Sequence, residues 1–359
     1  MPLTRRDLDR IPSYRPGRNP ADLARELGLS EAVKLASNEV PYGPLPGVAE
    51  AVAEAALGMH RYPDLAAVAL REALGKRYAV DPARIAVGCG SVALAEVLAK
   101  ATAGPGDEVL YAWRSFEAYP ILTIGAGATP VQVPNTAGHE HDLDAMAAAI
   151  TDRTRLVFVC NPNNPTGTAI RRAELERFLD AVPDSVLVVI DEAYREFVTD
   201  PGVPDGLDLA AGRPNVVVLR TLSKAWGLAG MRVGWLAAAE PVAETIRKIV
   251  TPFSVSLVAQ AGALAALDSV GEMQRRVDLV VAERDRVETA VSALGVDVPP
   301  TQANFVWLPL GERSVEFAAA GEAHGVIVRP FAGDGVRVTI GTPAENDLFL
   351  AVAREVLGG

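Results

Sequence analysis

The chain of 359 residues, 49% hydrophobic and 22% charged, is long enough for two domains and has the composition of an ordinary globular enzyme. Its formal charge of -11, with no clustered basic stripe, argues against a nucleic-acid or anionic-membrane surface. Two cysteines (Cys89 and Cys160), four scattered histidines, no charged-then-apolar leader and no apolar run of membrane length argue against disulfides, bound metal and a membrane span, and for a cytoplasmic protein.

Residues 1–37 read as an arm, broken by Pro12, Pro16, Gly17 and Pro20, with one helical stretch around Asp22 to Leu27 and Tyr14 as its notable aromatic. The stretch from Lys34 through Asn38 to Pro46 reads as a strand ending in a Pro/Gly-rich loop, where binding groups often sit on a rigid scaffold. From Val48 onward helices alternate with strands. Helices are expected over 47–58, 64–78, 91–103, 115–124, 142–149 and 171–181, and strands over 85–87, 108–112, 130–133, 155–160, 186–190, 216–220 and 233–237. That alternation predicts an α/β architecture with a largely parallel sheet. After about Ala238 long helices dominate, at 241–250, 256–270, 272–294 and 314–324, with strands at 304–308, 326–329 and 335–340. This part reads as a smaller α+β unit.

Five of the strands run into polar clusters: Gly88-Cys-Gly90-Ser91, Trp113-Arg-Ser-Phe116, Asn161-Pro-Asn-Asn164-Pro-Thr-Gly, Asp191-Glu-Ala-Tyr194 and Thr221-Leu-Ser223-Lys224. Open parallel sheets bind ligands beyond the carboxyl ends of their strands, so the clusters are expected to converge. Lys224 stands among Leu222, Trp226 and Leu228, where desolvation would lower its pKa as a Schiff-base lysine requires; a lysine snorkelling to solvent fits the local sequence as well. The run Gly88-Cys-Gly90-Ser91-Val92-Ala93 matches a loose dinucleotide fingerprint, the mark of an NAD-dependent oxidoreductase. The next strand ends Tyr111-Ala-Trp113, however, without the ribose-binding acid. The same glycines suit a single phosphate at a helix start, held by backbone N–H groups of Gly90, Ser91 and Val92 with Thr221, Ser223 and Arg232. A monophosphate beside a lysine points to pyridoxal phosphate. Asp191, at a strand end, would keep a pyridine nitrogen protonated or else cap a helix. Asn164 and Tyr194 are placed to donate to the phenolic O3′, and Phe116 to stack on the ring.

Taken together, Asn161-Pro-Asn-Asn-Pro-Thr-Gly167, Asp191-Glu-Ala-Tyr194, Ser223-Lys224 and Gly230-Met-Arg232-Val-Gly resemble the signatures of the fold-type I aminotransferases, class II, histidinol-phosphate aminotransferase branch. Leu35-Ala-Ser-Asn38-Glu, Arg61-Tyr62-Pro63-Asp64, Gln302-Ala-Asn304-Phe-Val and Val336-Arg337-Val-Thr-Ile-Gly-Thr extend the likeness over nearly the whole chain. The resemblance implies an aspartate aminotransferase-like fold: an arm at 1–37 packing on the small domain, a large PLP-binding domain at 38–245 and a small domain at 246–359. It implies Lys224 as Schiff-base lysine and proton shuttle, Asp191 as pyridinium partner, and Asn164 with Tyr194 on O3′. Substrate binding falls to Tyr14, Asn38, Asn164, Arg329 and Arg337, although Arg337 read alone would be an ordinary strand residue. Tyr62 would reach the phosphate from the neighbouring subunit, which implies a homodimer with shared active sites. No metal is expected.

Departures from the branch narrow the expectation. Val92-Ala93 stands where Asp-Glu is usual, Asn38-Glu39-Val40-Pro41 replaces Asn-Glu-Asn-Pro, and Trp113-Arg-Ser-Phe116 replaces a Pro-Thr-Tyr pattern. These variants look more like the aromatic amino acid (phenylalanine) aminotransferases of the same branch, and they make the site's mouth more apolar. The expected reaction moves an amino group between phenylalanine or tyrosine and a 2-oxo acid such as 2-oxoglutarate. Histidinol-phosphate transamination is the nearest rival; a phospho-threonine decarboxylase and a non-catalytic ligand-binding or regulatory relative stand further off.

Overall fold

The structure is a computed structural model that describes residues 4–11 and 18–358, so Tyr14 lies outside the described residues. After a short strand β1 (Val33–Lys34) come β2 (Ile85–Cys89), β3 (Glu108–Trp113), β4 (Thr129–Pro134), β5 (Thr154–Cys160), β6 (Leu187–Asp191), β7 (Val216–Thr221) and β8 (Val233–Ala237). The last seven form one sheet in the order β2-β8-β7-β6-β5-β3-β4. It is parallel from β7 to β4, and β8 runs antiparallel between β2 and β7. All seven strands fall where the sequence places them.

Alternate residues of each strand face opposite cores. Val109, Tyr111, Leu156 and Phe158 pack under the helices Gly90–Thr102 and Ala118–Ala126, while Leu110, Ala112, Val157 and Val159 pack against the helix Arg172–Ala181. A sheet covered on both faces needs apolar residues at every position, which is why β7 opens with the run Val216-Val-Val-Leu.

Beyond the connecting helix Glu240–Ile249 the chain adds β9 (Phe305–Leu308), β10 (Val326–Ile327), β11 (Arg329–Phe331) and β12 (Gly335–Thr339). An antiparallel sheet runs β11-β12-β9, and β10 instead pairs parallel with β1. The single strand expected at 326–329 is therefore two strands serving different partners. Val326, Ile327 and Val328 are all buried, so no polar residue marks the switch. A second correction is the C-terminal helix Pro343–Leu357, which the sequence reading omitted. Its signal was present: Thr342 and Glu345 form a capping box with Pro343 in the first turn. A third concerns the helix expected from residue 64, which begins at Val68. Asp64 accepts hydrogen bonds from the Ala66 and Val68 N–H groups and holds a turn there instead. The N-terminal segment touches both sheets' surroundings. Arg5 donates to the Ile124 carbonyl at 2.6 Å, and Arg18 pairs with Glu322.

Strand register places the functional ends side by side: Cys160 lies opposite Asp191, Thr221 opposite Gly234 and Cys89 opposite Val233. The approach of β8 to the Gly90–Ser91 turn is so close that a Cβ on Gly234 would overlap the Ser91 amide. Gly234→Ala is therefore expected to destabilise the protein by roughly 1–3 kcal/mol through overpacking against backbone. Denaturant unfolding measures this, and a midpoint equal to that of wild type would show that the turn yields freely.

Candidate active site

Between the carboxyl ends of the parallel strands and the three-stranded sheet lies a cleft of about 220 Å³. Ser91, Val92, Phe116, Asn164, Asp191, Tyr194, Thr221, Ser223, Lys224, Arg232, Asn38, Arg329 and Arg337 all line it. Gly90 and Tyr62 do not.

Lys224 leaves the end of β7 on a turn whose apolar members Leu222, Trp226 and Leu228 are all buried. Its Nζ donates to the Ser37 carbonyl at 3.1 Å and stands 5.9 Å from the centre of the Tyr194 ring. Burial lowers its pKa to about 8, helped by the Arg337 and Arg232 cations and opposed by Glu39 and Asp191. The uncharged amine, the form that attacks a carbonyl, is thus far better populated near neutral pH than for an ordinary lysine.

Asp191 ends β6 and is buried. Its Oδ2 accepts from the Tyr119 hydroxyl at 2.8 Å, and its Oδ1 has no hydrogen-bond partner among the described residues. Burial raises the carboxyl pKa to about 6, against the lowering effect of the Tyr119 hydrogen bond, the Ala193 N–H and Lys224. A buried acceptor left unpaired is costly, so Oδ1 calls for a cationic N–H donor in the cleft. Tyr119 is a residue that sequence reading missed. It lies in the helix Ala118–Ala126, fully buried and stacked on Phe158 at 4.5 Å, and its sequence carries only the signature of a core residue.

The anion cradle is built where β2 turns into the helix Gly90–Thr102, whose first turn has no side-chain cap. Gly90 has φ +81°, and a Cβ there would collide with the Arg232 guanidinium, so glycine is what lets the cation close over the helix start. Arg232 donates to Ser223 Oγ at 3.3 Å and to the Ala229 carbonyl at 3.0 Å. Thr221 Oγ1 accepts from the Ser223 N–H at 3.1 Å, which sets the turn between the two hydroxyls.

On the opposite wall Arg337, in β12, donates to Asn164 Oδ1 at 2.5 Å and to the Ala36 carbonyl at 2.6 Å. Because guanidinium only donates, it fixes the Asn164 amide with oxygen towards Arg337 and leaves the NH₂ as a donor. Asn38 Nδ2 donates to the Tyr194 hydroxyl at 2.9 Å, so Tyr194 retains its own proton to donate. Burial also pushes the Tyr194 phenol well above its ordinary pKa, keeping that proton in place. Phe116 meets the Tyr119 ring edge-on, with centroids 5.6 Å apart. Arg329 forms an ion pair with Glu117 at 2.8 Å, and Glu117 is a second lining residue that no motif announced. Tyr62, by contrast, is 81% exposed and stacks on Phe253 at 4.5 Å, outside the cleft of its own chain.

The donor set suits pyridoxal phosphate: an N-terminal helix turn with Arg232 for a phosphate, an unpaired Asp191 oxygen for a protonated ring nitrogen, and a lysine of lowered pKa for the aldehyde. Comparison with known proteins agrees with this geometry. The family model for aminotransferase class I and II matches residues 30–352. The aromatic amino acid aminotransferase of Streptomyces avermitilis is 59% identical over 351 residues, covering 98% of this chain and 96% of that protein. Among solved structures, histidinol-phosphate aminotransferase from Sinorhizobium meliloti, in complex with pyridoxal-5'-phosphate, superposes with a TM-score of 0.88 at 28% identity and covers 99% of both chains. An aspartate aminotransferase tetra mutant from Thermus thermophilus has a TM-score of 0.80 at 24% identity, covering 98% of this chain and 100% of that one, a likeness of fold. Its strand-end site, its aspartate aminotransferase-like fold and a family match running through both sheets make one conclusion: the chain belongs to the class I and II aminotransferases.

Proposed function

We propose that this protein is a pyridoxal-phosphate-dependent aminotransferase that moves an amino group between an aromatic L-amino acid, phenylalanine or tyrosine, and a 2-oxo acid such as 2-oxoglutarate. The observation that carries the reading is the buried, unpaired Oδ1 of Asp191 in the cleft it shares with the Lys224 amine and the Gly90–Arg232 cradle. The relative named for aromatic amino acids supports the substrate class, as does the apolar pair Val92-Ala93 at the helix start.

When bound, the cofactor supplies an aldehyde for the amino group and a ring that takes up the electron pair released from Cα. The chain's own residues do the rest. Arg232, Ser223, Thr221 and the N–H groups of Gly90, Ser91 and Val92 hold the phosphate. Asp191 stays ionised to hold the ring-nitrogen proton, oriented by Tyr119. Asn164 and Tyr194 donate to O3′, and Phe116 covers the ring face. Lys224 Nζ takes the Cα proton and returns it on the cofactor side. Arg337 presents a planar fork to the substrate carboxylate, with Asn38 steadying Tyr194 beside it and Arg329 directly opposite across β11 and β12. Tyr14 belongs to the same substrate side in this reading.

The same reading divides the chain into an arm at 1–37, a large domain at 38–245 and a small domain at 246–359. It also makes the protein a cytoplasmic homodimer in which Tyr62 reaches the neighbouring subunit's phosphate. Supporting the dimer, Leu57, Met59, Tyr62 and Leu65 are 82%, 72%, 81% and 62% exposed, an apolar run that a second copy would cover. No helix among the described residues is long and apolar enough to cross a membrane.

Lys224→Ala is expected to lose roughly 10²–10⁴-fold in kcat with phenylalanine; normal turnover would remove the lysine from the mechanism. Cofactor-free protein mixed with pyridoxal phosphate should turn yellow at a rate rising with pH through about 8, because only the uncharged amine attacks. A rise centred on the ordinary lysine value would show that Nζ is not desolvated. In parallel assays kcat/KM should be higher for phenylalanine and tyrosine than for histidinol phosphate. If histidinol phosphate led by orders of magnitude, the aromatic reading would fall.

A further inference from the structure

Among the described residues Tyr119 is the one side chain that donates to Asp191, and strand alternation sets the contact. Val189 packs into the same core as Tyr119, and Asp191, two residues further along β6, turns its carboxylate to that side. The Tyr119 ring has little freedom to move. It stacks on Phe158 with centroids 4.5 Å apart and planes 9° from parallel, and it meets Tyr111 and Phe116 at 5.6 Å. Its N–H also donates to the Phe116 carbonyl at 3.0 Å. The hydroxyl is therefore in place before any ligand arrives, and binding orders no further side chain there. The other titratable groups facing Asp191 bring it no fixed charge. Burial pushes the Cys160 thiol and the Tyr194 phenol well above their ordinary values, so both keep their protons. Lys224 donates instead to the Ser37 carbonyl. Burial and the Asp191 charge likewise hold the proton on the Tyr119 oxygen, which stays a donor. Burial drives the Asp191 carboxyl up to about 6, and the Tyr119 hydroxyl is the largest influence opposing that rise.

We propose that Tyr119 is a positioning residue that sets the charge of the cofactor site: its hydroxyl holds the Asp191 carboxylate as an anion, and so decides the lowest pH at which the cleft accepts a protonated ring nitrogen. Because the bond is made to Oδ2, Oδ1 is left for the ring. The proposal rests on the pyridoxal-phosphate reading given above and adds to it what keeps the carboxylate charged.

The test measures binding of pyridoxamine phosphate to the cofactor-free full chain between about pH 5 and pH 8. That ligand carries the same ring nitrogen and phosphate but no aldehyde, so Lys224 forms no bond to it. Asp191→Asn is the reference, since it has no carboxyl to titrate there, and the ligand's own groups titrate alike in every protein. In wild type, affinity relative to that reference is expected to fall as pH drops through about 6. Tyr119→Phe keeps the ring and its aromatic contacts and removes only the hydroxyl. Losing a hydrogen bond to a charged group raises the carboxyl pKa, so the fall is expected about one pH unit higher. The variant then binds roughly fivefold more weakly than wild type near pH 6 and within about twofold of it near pH 8. An equal loss at both pH values, which a merely structural role would give, overturns the proposal, as does a fall that does not move. Should Tyr119→Phe fail to fold, a difluorinated tyrosine at position 119 decides. Its more acidic hydroxyl donates more strongly, so the fall is expected at lower pH, and a shift to higher pH or none overturns the proposal. The two readings fail separately: a wild type without a fall that depends on Asp191 removes Asp191 as the ring nitrogen's partner and the proposal with it, whereas a wild-type fall that Tyr119→Phe leaves unmoved removes only the role of Tyr119.

Discussion

Burying the carboxylate of Asp191 at the end of a central strand is the constraint to which the other parts of this site answer. Charge in a protein interior is tolerated when it is paired or hydrogen-bonded, and among the described residues the one side chain that donates to this carboxylate is Tyr119, on one of the two oxygens. The other oxygen is unmatched among the described residues, and the carboxyl pKa rises to about 6 in consequence. An arrangement of that kind is stable as an anion only with a cationic donor beside it. The neighbouring lysine does not fill that place, because its Nζ donates to the Ser37 carbonyl, and the same burial lowers its pKa to about 8. Two groups with opposite needs, each pushed towards neutrality, are thereby held ready for a ring nitrogen and an aldehyde.

What brings them together is strand register rather than local chemistry. Asp191 lies opposite Cys160, so the loop bearing Asn164 begins beside it; Thr221 lies opposite Gly234, so the Lys224 turn begins beside the Gly90 helix start. The glycines at 90 and 234 have separate tasks in that junction. One leaves space for the Arg232 guanidinium, the other lets β8 touch the Ser91 amide. A slip of one residue in β7 would turn Thr221 to the wrong face of the sheet and displace the turn that carries Lys224.

How much of this could be read in advance depended on whether a residue's role left a local mark. The central strands were legible because a doubly covered sheet demands apolar runs, as in β5, β6 and β7, and the edge strand β4 was legible from its alternation. Lys224, Asp191, Asn164 and Arg232 were legible because polar groups stood at strand ends where apolar ones would be expected. Tyr119 left no such mark: it is a buried aromatic on a helix, indistinguishable in sequence from its neighbour in the stack, Phe158. Glu117 left none either, since a glutamate opening a helix is ordinary, and its meaning depends on Arg329, 212 residues away in the chain. The division of residues 326–331 between two sheets was hidden for the same reason, as the choice of partner strand is made by β1 and not by the segment itself.

The short segment following β1 shows how distant parts of the chain are tied into one unit. Leu35 accepts from the Thr339 N–H and donates to the Ile327 carbonyl, which anchors the segment to strands on two sheets. The next three residues then serve the site in turn. The Ala36 carbonyl receives Arg337, the Ser37 carbonyl receives Lys224, and the Asn38 side chain receives Thr339 while donating to Tyr194. Asn38 adopts φ 55°, a conformation in which asparagine is tolerated better than most residues and which turns its side chain back while the main chain proceeds to the loop. The substrate-facing arginine and the lysine thus share a single stretch of backbone as hydrogen-bond acceptor. Any displacement of that stretch moves both partners at once, so the geometry of the carboxylate site and the environment of the amine cannot vary independently.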